Sequence, residues 1–136
     1  PLRAPAVVSR GILPEVSSFW PGREEQLDAK FITDGNPSTM WAAAERDRQA
    51  TVTIGLEGKH EIHEIVLSDA PYGRITDFEA QVLIDGQWRS VTNGKRIGTA
   101  LRIPVEALPA TAVRLLIKDA TDTPTLAEFE VLAIAP

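Results

Sequence analysis

The longest regular signal in the chain is an alternation of period two. In TDFEAQVLIDGQW, residues 76–88, Phe78, Ala80, Val82 and Ile84 alternate with Asp77, Glu79, Gln81 and Leu83. Successive side chains of a strand point to opposite faces, so this pattern predicts a strand with one buried side. Asp85-Gly86 follows, a pair suited to the positive φ angles of a two-residue hairpin, and places Trp88 and Val91 on a returning strand. The same alternation marks TVTIGL (Val52, Ile54, Leu56), ALRIPV (Leu101, Ile103, Val105) and AVRLLIK (Val113, Leu115, Ile117). HEIHEIVLSD adds a strand through Ile65 to Leu67, and LAEFEVLAI closes the pattern with Ala127, Phe129, Val131 and Ala133 on one side. APAVVS reads as a first edge strand, where Pro5 is tolerated. Each segment is expected to be a separate strand, with GLEGK, residues 55–59, turning between two of them.

Helical spacing occurs only in EEQLDAKFI, residues 24–32, through Leu27 and Phe31. Six to eight short strands punctuated by Gly, Pro, Asn and Asp predict an all-β antiparallel sandwich or barrel with one core. With 136 residues, 43% of them hydrophobic, the chain has enough apolar material for a single domain over residues 1–136.

Charge narrows the partners. The 14 Lys and Arg are outnumbered by 19 Asp and Glu, with the signs mixed along the chain. No basic stripe is available for a phosphate backbone or an anionic membrane, so neither nucleic acid nor membrane is an expected partner. The absence of cysteine excludes disulfides and thiolate metal sites and leaves the compartment open. The start, PLRAPAVVSRG, lacks the basic-then-apolar pattern of a secretory signal.

Catalytic signatures are missing. His60 and His63 in HEIHE are three apart on a predicted strand, which sends them to opposite faces, and their spacing is not that of the HExxH helix. There is no cysteine nucleophile, no GxSxG elbow and no GxxxxGK[ST] cradle; GLEGK is two residues short of the last. Any pair chosen from the 19 acids as a glycosidase couple would be arbitrary. The chain itself is therefore not expected to be catalytic.

FITDGNPSTMW, residues 31–41, is the segment with chemistry. Asp34, Asn36, Ser38 and Thr39 are oxygen donors close together, shaped by Gly35 and Pro37. Two readings stay open. Asp34 or Asn36 caps its own backbone in an Asx turn, or the loop supplies part of the six to eight hard oxygens that calcium takes. It is not an EF-hand, which needs later acids and a terminal glutamate.

AKFITDGNPSTMW resembles the signature loop of the discoidin domain, or coagulation factor C-type domain, of the galactose-binding-like sandwiches. The resemblance continues through TVTIGL and HEIHEIVLSD to TLAEFEVLAI. More specifically, YGRITDFEAQVLIDGQWRSVTNGKRIG and AVRLLIKDATDTPTLAEFEV resemble the C-terminal accessory module of bacterial family 29 α-L-fucosidases. It implies a jelly-roll β-sandwich and a structural calcium ion. The matching positions are Asp34 (side chain), Asn36 (carbonyl) and Thr39 (hydroxyl and carbonyl). A carbonyl near Phe31, Glu128 and the Ala127 carbonyl complete the set. Trp41 is a core residue in that family. The common second aspartate of the loop is Asn36 here.

The resemblance also implies glycan binding by loops at one end of the sandwich. Trp20, in SSFWPG, is either a stacking platform or a lid on the core, and Tyr72 in APYGR is a platform or hydrogen-bond donor with Arg74 beside it. Arg46 and Arg48 in ERDRQ are charged loop residues, and Trp88 is expected to serve cross-strand contact. No Arg, Asn and His set of the kind used by many galactose binders is recognisable. The reading is a non-catalytic carbohydrate-binding accessory module of a secreted or periplasmic glycoside hydrolase such as an α-L-fucosidase, with a glycan and the linked catalytic domain as partners. Its rival is a structural module fixed to the catalytic domain, which predicts an exposed apolar patch. An adhesion module of the coagulation type would need exposed hydrophobic spikes or basic clusters, and the sequence points to neither.

Overall fold

Residues 4–134 are described in a computed structural model; residues 1–3, where the segment read for a signal pattern begins, and residues 135–136 lie outside the described residues. The elements in chain order are β1 (Ala6–Val7), β2 (Glu15–Val16), α1 (Glu24–Leu27), a 3-10 helix (Ala29–Thr33), β3 (Trp41–Ala42), β4 (Ala50–Ser68), β5 (Ile75–Ile84), β6 (Gln87–Gly94), β7 (Leu101–Ala120), β8 (Thr125–Leu126) and β9 (Glu128–Ile134). All pairings are antiparallel, in the order β1-β9-β4-β7-β5-β6 with β2 beside β4, while β3 and β8 form a separate pair.

Two long strands make the sandwich. The first part of β4 pairs with the last part of β7, from Ala50↔Ile117 to Gly55↔Ala112, and there β7 also pairs with β5. The rest of β4 pairs with the start of β7 on one side and with β9 on the other. The register break between Gly55 and His60 separates these ladders, and a second, between Ile62 and Glu64, lies within the latter. Bulges bend and twist a strand, so the ladder folds over itself and turns two apolar faces toward each other. Val52 and Ile54 of the first ladder join Ile65, Leu67, Phe129 and Val131 of the second in a single core. Burial of each such side chain contributes roughly 1.5–3 kcal/mol.

The fold is thus the all-β antiparallel jelly-roll sandwich that the alternation and the resemblance predicted. Phe78, Ala80, Val82 and Ile84 are buried, as are Ala127, Phe129, Val131 and Ala133. Asp85 and Gly86 turn the β5–β6 hairpin with φ of 50° and 77°. Trp41 is wholly buried. Trp88 is half-buried under the Arg114 guanidinium, 4.1 Å from its ring, and Arg114 donates from Nε to Gln81 Oε1 at 2.6 Å across the strand pair.

Two expectations are corrected. TVTIGL and HEIHEIVLSD are one strand, and GLEGK is a bulge within it rather than a turn between strands, because both flanks keep β7 as partner. ALRIPV and AVRLLIK likewise merge into β7. The helix over 24–32 breaks at Asp28, whose extended backbone (ψ 152°) ends α1 while its carboxylate accepts from Lys30 N at 2.8 Å to cap the 3-10 helix.

Candidate functional site

The loop after the 3-10 helix folds on its own side chains. Asn36 N donates to Asp34 Oδ1 at 2.9 Å, and Ser38 N donates to Asn36 Oδ1 at 2.9 Å, giving two successive Asx turns. The Thr39 hydroxyl donates to Asp34 Oδ2 at 2.5 Å, and Thr39 N donates to the Asn36 carbonyl at 3.2 Å. Gly35 sits at φ 76° with the Arg10 guanidinium against it; a Cβ there would be 2.7 Å from that group. Arg10 in turn pairs with Glu130 Oε2 at 2.5 Å, so the loop is clamped to the closing strand.

Glu128, on that strand, is the anomaly. Its side chain is buried, and neither carboxylate oxygen has a hydrogen-bond partner. Burial first, and then the negative charges of Asp34 and Glu130, raise its pKa to about 7, with Arg10 opposing. A buried carboxyl without donors must stay protonated or face a cation, since the bare charge is expensive to hold. Among the described residues no three His, Cys, Asp or Glu side chains gather as a metal cluster. The donor set at this place is instead two carboxylates, Asp34 and Glu128, with hydroxyl and main-chain oxygens around them, which fits a hard cation such as calcium and no soft metal. The histidines take no part. His60 Nε2 lies 2.8 Å from the Glu57 carbonyl and His63 Nε2 lies 2.7 Å from Glu61 Oε2, each with its own local partner.

Trp20 lies elsewhere. It lines a groove of about 230 Å³ with Leu13, Phe19, Leu27, Glu24 and Asp28. Leu13 is 65% exposed and Phe19 54%, so an apolar surface faces solvent here, contrary to the absence of hydrophobic spikes expected from sequence. The loop that carries it is fixed from below by Ser18, which is buried. Trp41 Nε1 donates to the Ser18 carbonyl at 3.2 Å, Ala44 N donates to Ser18 Oγ at 2.8 Å, and that hydroxyl donates to Asp47 Oδ2 at 2.6 Å.

Tyr72 and Arg74 are brought together with each other but not with Trp20. Tyr72 is 56% exposed, with the Arg74 guanidinium 4.4 Å from its ring centroid. Arg74 Nη1 also donates to the Thr123 carbonyl at 3.0 Å, and Arg46 N donates to Thr123 Oγ1 at 3.2 Å. Arg48 reaches Asp122 at 3.9 Å. The loops 43–49, 69–74 and 121–124 thus share one end of the sandwich, around Thr123. Phe31 is half-buried in the 3-10 helix, its ring 5.4 Å from Lys30 Nζ, and Ala127 N donates to the Ser68 carbonyl at 2.8 Å where β9 begins.

Sequence reasoning missed Leu13, Phe19, Glu24 and Asp28 as neighbours of Trp20. The readable signal was Phe19 beside Trp20 in a Ser/Pro/Gly loop; Asp28 lines the same groove as Glu24 although α1 ends before it.

Solved structures share this architecture. Chitosan-binding module 1 of a chitosanase/glucanase from Paenibacillus sp. IK-5 superposes with a TM-score of 0.81 at 21% identity, over 93% of this chain and 98% of that one. A Clostridium perfringens module, CpGH89CBM32-5, solved in complex with GalNAc-β-1,3-galactose, matches with a TM-score of 0.78 at 24% identity, over 93% and 99%. A putative α-L-fucosidase from Bacteroides thetaiotaomicron matches with a TM-score of 0.84 at 19% identity; 96% of this chain is covered but only 29% of the fucosidase. No curated protein is significantly similar in sequence. The F5/8 type C domain model matches residues 15–130, the span from β2 to the closing strand, and the chain therefore belongs to the F5/8 type C domain family.

Proposed function

We propose that this domain is a non-catalytic carbohydrate-binding accessory module, linked to a glycoside hydrolase catalytic domain of the α-L-fucosidase kind and working outside the cytoplasm, secreted or in the periplasm. The observation that carries the reading is the solvent-facing groove walled by Trp20 and Phe19 with carboxylates on its rim. Aromatic faces stack on the C–H side of a sugar ring, and flanking polar groups take its hydroxyls. Tyr72 and Arg74 form a second polar-aromatic surface, where Arg74 stacks on the ring and Tyr72 is still 56% exposed. Similar modules whose structures hold GalNAc-β-1,3-galactose or chitotriose support sugar recognition as the use of this fold. Tethering such a module to an enzyme raises the local concentration of substrate.

Calcium is the proposed cofactor. Asp34 and Glu128 would supply carboxylates, Asn36, Ala127 and Phe31 carbonyls, and Thr39 its hydroxyl and carbonyl. Its role is structural, holding loop 34–39 to β9. Millimolar calcium should raise the melting temperature of the wild-type chain by several degrees and leave Glu128→Gln unmoved; equal shifts in both would remove the site.

The exposure of Leu13 and Phe19 also favours a second reading, a structural module that covers this patch with the catalytic domain. Glycan-array binding of the isolated module, with and without calcium and with Trp20→Ala as control, separates the two. A specific hit lost in Trp20→Ala supports sugar recognition, and silence from a folded sample favours the structural role.

A further inference from the structure

We infer that segment 8–12 is a strap that holds the two halves of the cation site together, with Arg10 as its positioning residue, so that calcium binding and the docking of this segment are linked. The inference rests on the calcium reading and adds a residue outside the ligand set. That set comes from two separate elements, residues 31–39 on the loop side and residues 127–128 where β9 begins. Arg10 touches both sides. Its Cζ, Nη1 and Nε stand 2.7, 2.8 and 2.9 Å from the place of a Cβ on Gly35, so the guanidinium lies face-on to the glycine between Asp34 and Asn36, and a side chain there would push it away. Its Nη2 donates to Glu130 Oε2 at 2.5 Å. Glu130 is two residues beyond Glu128 on β9, and residues i and i+2 of a strand share a face. One planar side chain thus spans from the loop to the strand face that carries Glu128.

The backbone on either side of Arg10 makes the same span. Val8 N donates to the Val131 carbonyl at 2.9 Å, and Val131 N donates to the hydroxyl of buried Ser9 at 2.9 Å. Gly11 N donates to the Thr33 carbonyl at 2.9 Å, and the Thr33 hydroxyl donates to the Ile12 carbonyl at 2.6 Å, directly ahead of Asp34. Residues 8 and 9 are therefore tied to β9 and residues 11 and 12 to the loop. The charges of Arg10 and Glu130 act in opposite directions on the Glu128 carboxyl, so the pair adds little net charge and its contribution is geometric. Ligands drawn from two elements hold one ion only as well as those elements are held to each other, and fixing them in advance lowers the ordering cost of binding. By linkage, the bound ion must in turn hold the strap. The strap precedes residues 15–130, the span matched by the family model, and the family likeness assigns it no role.

The test is calorimetric titration of calcium chloride into the metal-free 136-residue chain, as wild type, as the Arg10→Gln, Glu130→Gln double variant and as Arg10→Lys. The double variant removes one positive and one negative charge, so its affinity reports position rather than charge. Calcium should bind it about tenfold more weakly than the wild type. Arg10→Lys should fall between the two, because lysine keeps the ion pair but not the flat contact with Gly35. Melting temperatures in calcium-free buffer certify that each protein is folded. Amide exchange followed by NMR gives an independent readout on the wild type alone: saturating calcium should slow exchange at Gly11 N about tenfold, beyond any change in the β5–β6 hairpin. Unchanged or tighter calcium binding by the folded double variant overturns the inference and leaves the calcium site standing, and so does protection confined to loop 34–39 and β9. If the double variant does not fold, the exchange at Gly11 decides. A wild type that takes up no calcium overturns the site and the inference together.

Discussion

The indole nitrogen of Trp41 donates to the carbonyl of Ser18, 3.2 Å away. This bond couples the fold's central aromatic residue to the loop that displays Phe19 and Trp20, so the signature segment 31–41 positions the groove as well as filling the core. Trp41→Phe would keep most of the apolar volume, delete the donor and leave a buried carbonyl unpaired. A loss of about 1–3 kcal/mol is expected, the cost of one orphaned buried group plus some lost volume. Chemical denaturation measures it, and glycan affinity should fall with it because the loop loosens.

Glu128 sets a pH dependence of definite sign. Its pKa in the folded chain is about 7, against 4.5 for the ordinary group. A raised carboxyl pKa means that the native state holds the proton more tightly, so this stabilisation is complete below pH 4.5 and is lost as pH rises through 7. In calcium-free buffer the wild type should therefore lose on the order of 3 kcal/mol relative to Glu128→Gln between pH 4.5 and 8. Denaturation of the two proteins across that range gives the comparison; a constant difference would contradict the assignment.

Gly94 ends β6, the edge strand of the sheet, opposite Phe78. A Cβ built there would lie 2.5 Å from the ring of Phe78, its register partner on β5 and a fully buried residue. The ring has no room to withdraw, so Gly94→Ala should destabilise by about 1–3 kcal/mol through overpacking. Glycan binding by folded Gly94→Ala should be unchanged, since the Trp20 groove is built by other elements. Thermal unfolding and calorimetric titration of the same sample check both parts.

Arg74 joins the Tyr72 ring to the Thr123 carbonyl. Arg74→Ala should cost about 1–3 kcal/mol by orphaning that partly buried carbonyl and freeing Tyr72. Lysine cannot reproduce the planar stack, so Arg74→Lys should recover only part of the loss. The melting temperatures of the three proteins rank the effect.

Most of the sandwich could be read from period two alone, because strands such as β5 and β9 have one wholly buried face. The merging of TVTIGL with HEIHEIVLSD could not. Whether GLEGK turns or bulges depends on whether β7 stays the partner, a relationship between residues about fifty positions apart. Asp28 was equally ambiguous, since an aspartate between Leu27 and Ala29 can sit inside a helix or cap a new one, and only backbone geometry decides. The Asx turns at Asp34 and Asn36 were legible because they are local. The groove was half legible: Trp20 stood out by its loop, while Leu13 reaches it only through the path of β2.

The most direct measurement of the central claim uses the chain's three tryptophans as reporters. Their indole N–H signals resolve in a two-dimensional NMR spectrum, and single Trp→Phe variants assign them. Titration with galactosyl, fucosyl and glucosamine oligosaccharides should move the Trp20 signal in a saturable way for at least one of them, while Trp41, buried in the core, and Trp88, under Arg114, stay in place. If all three signals remain still in a folded sample at millimolar glycan, the groove does not bind sugar and the account of this module as a carbohydrate-recognition domain is wrong.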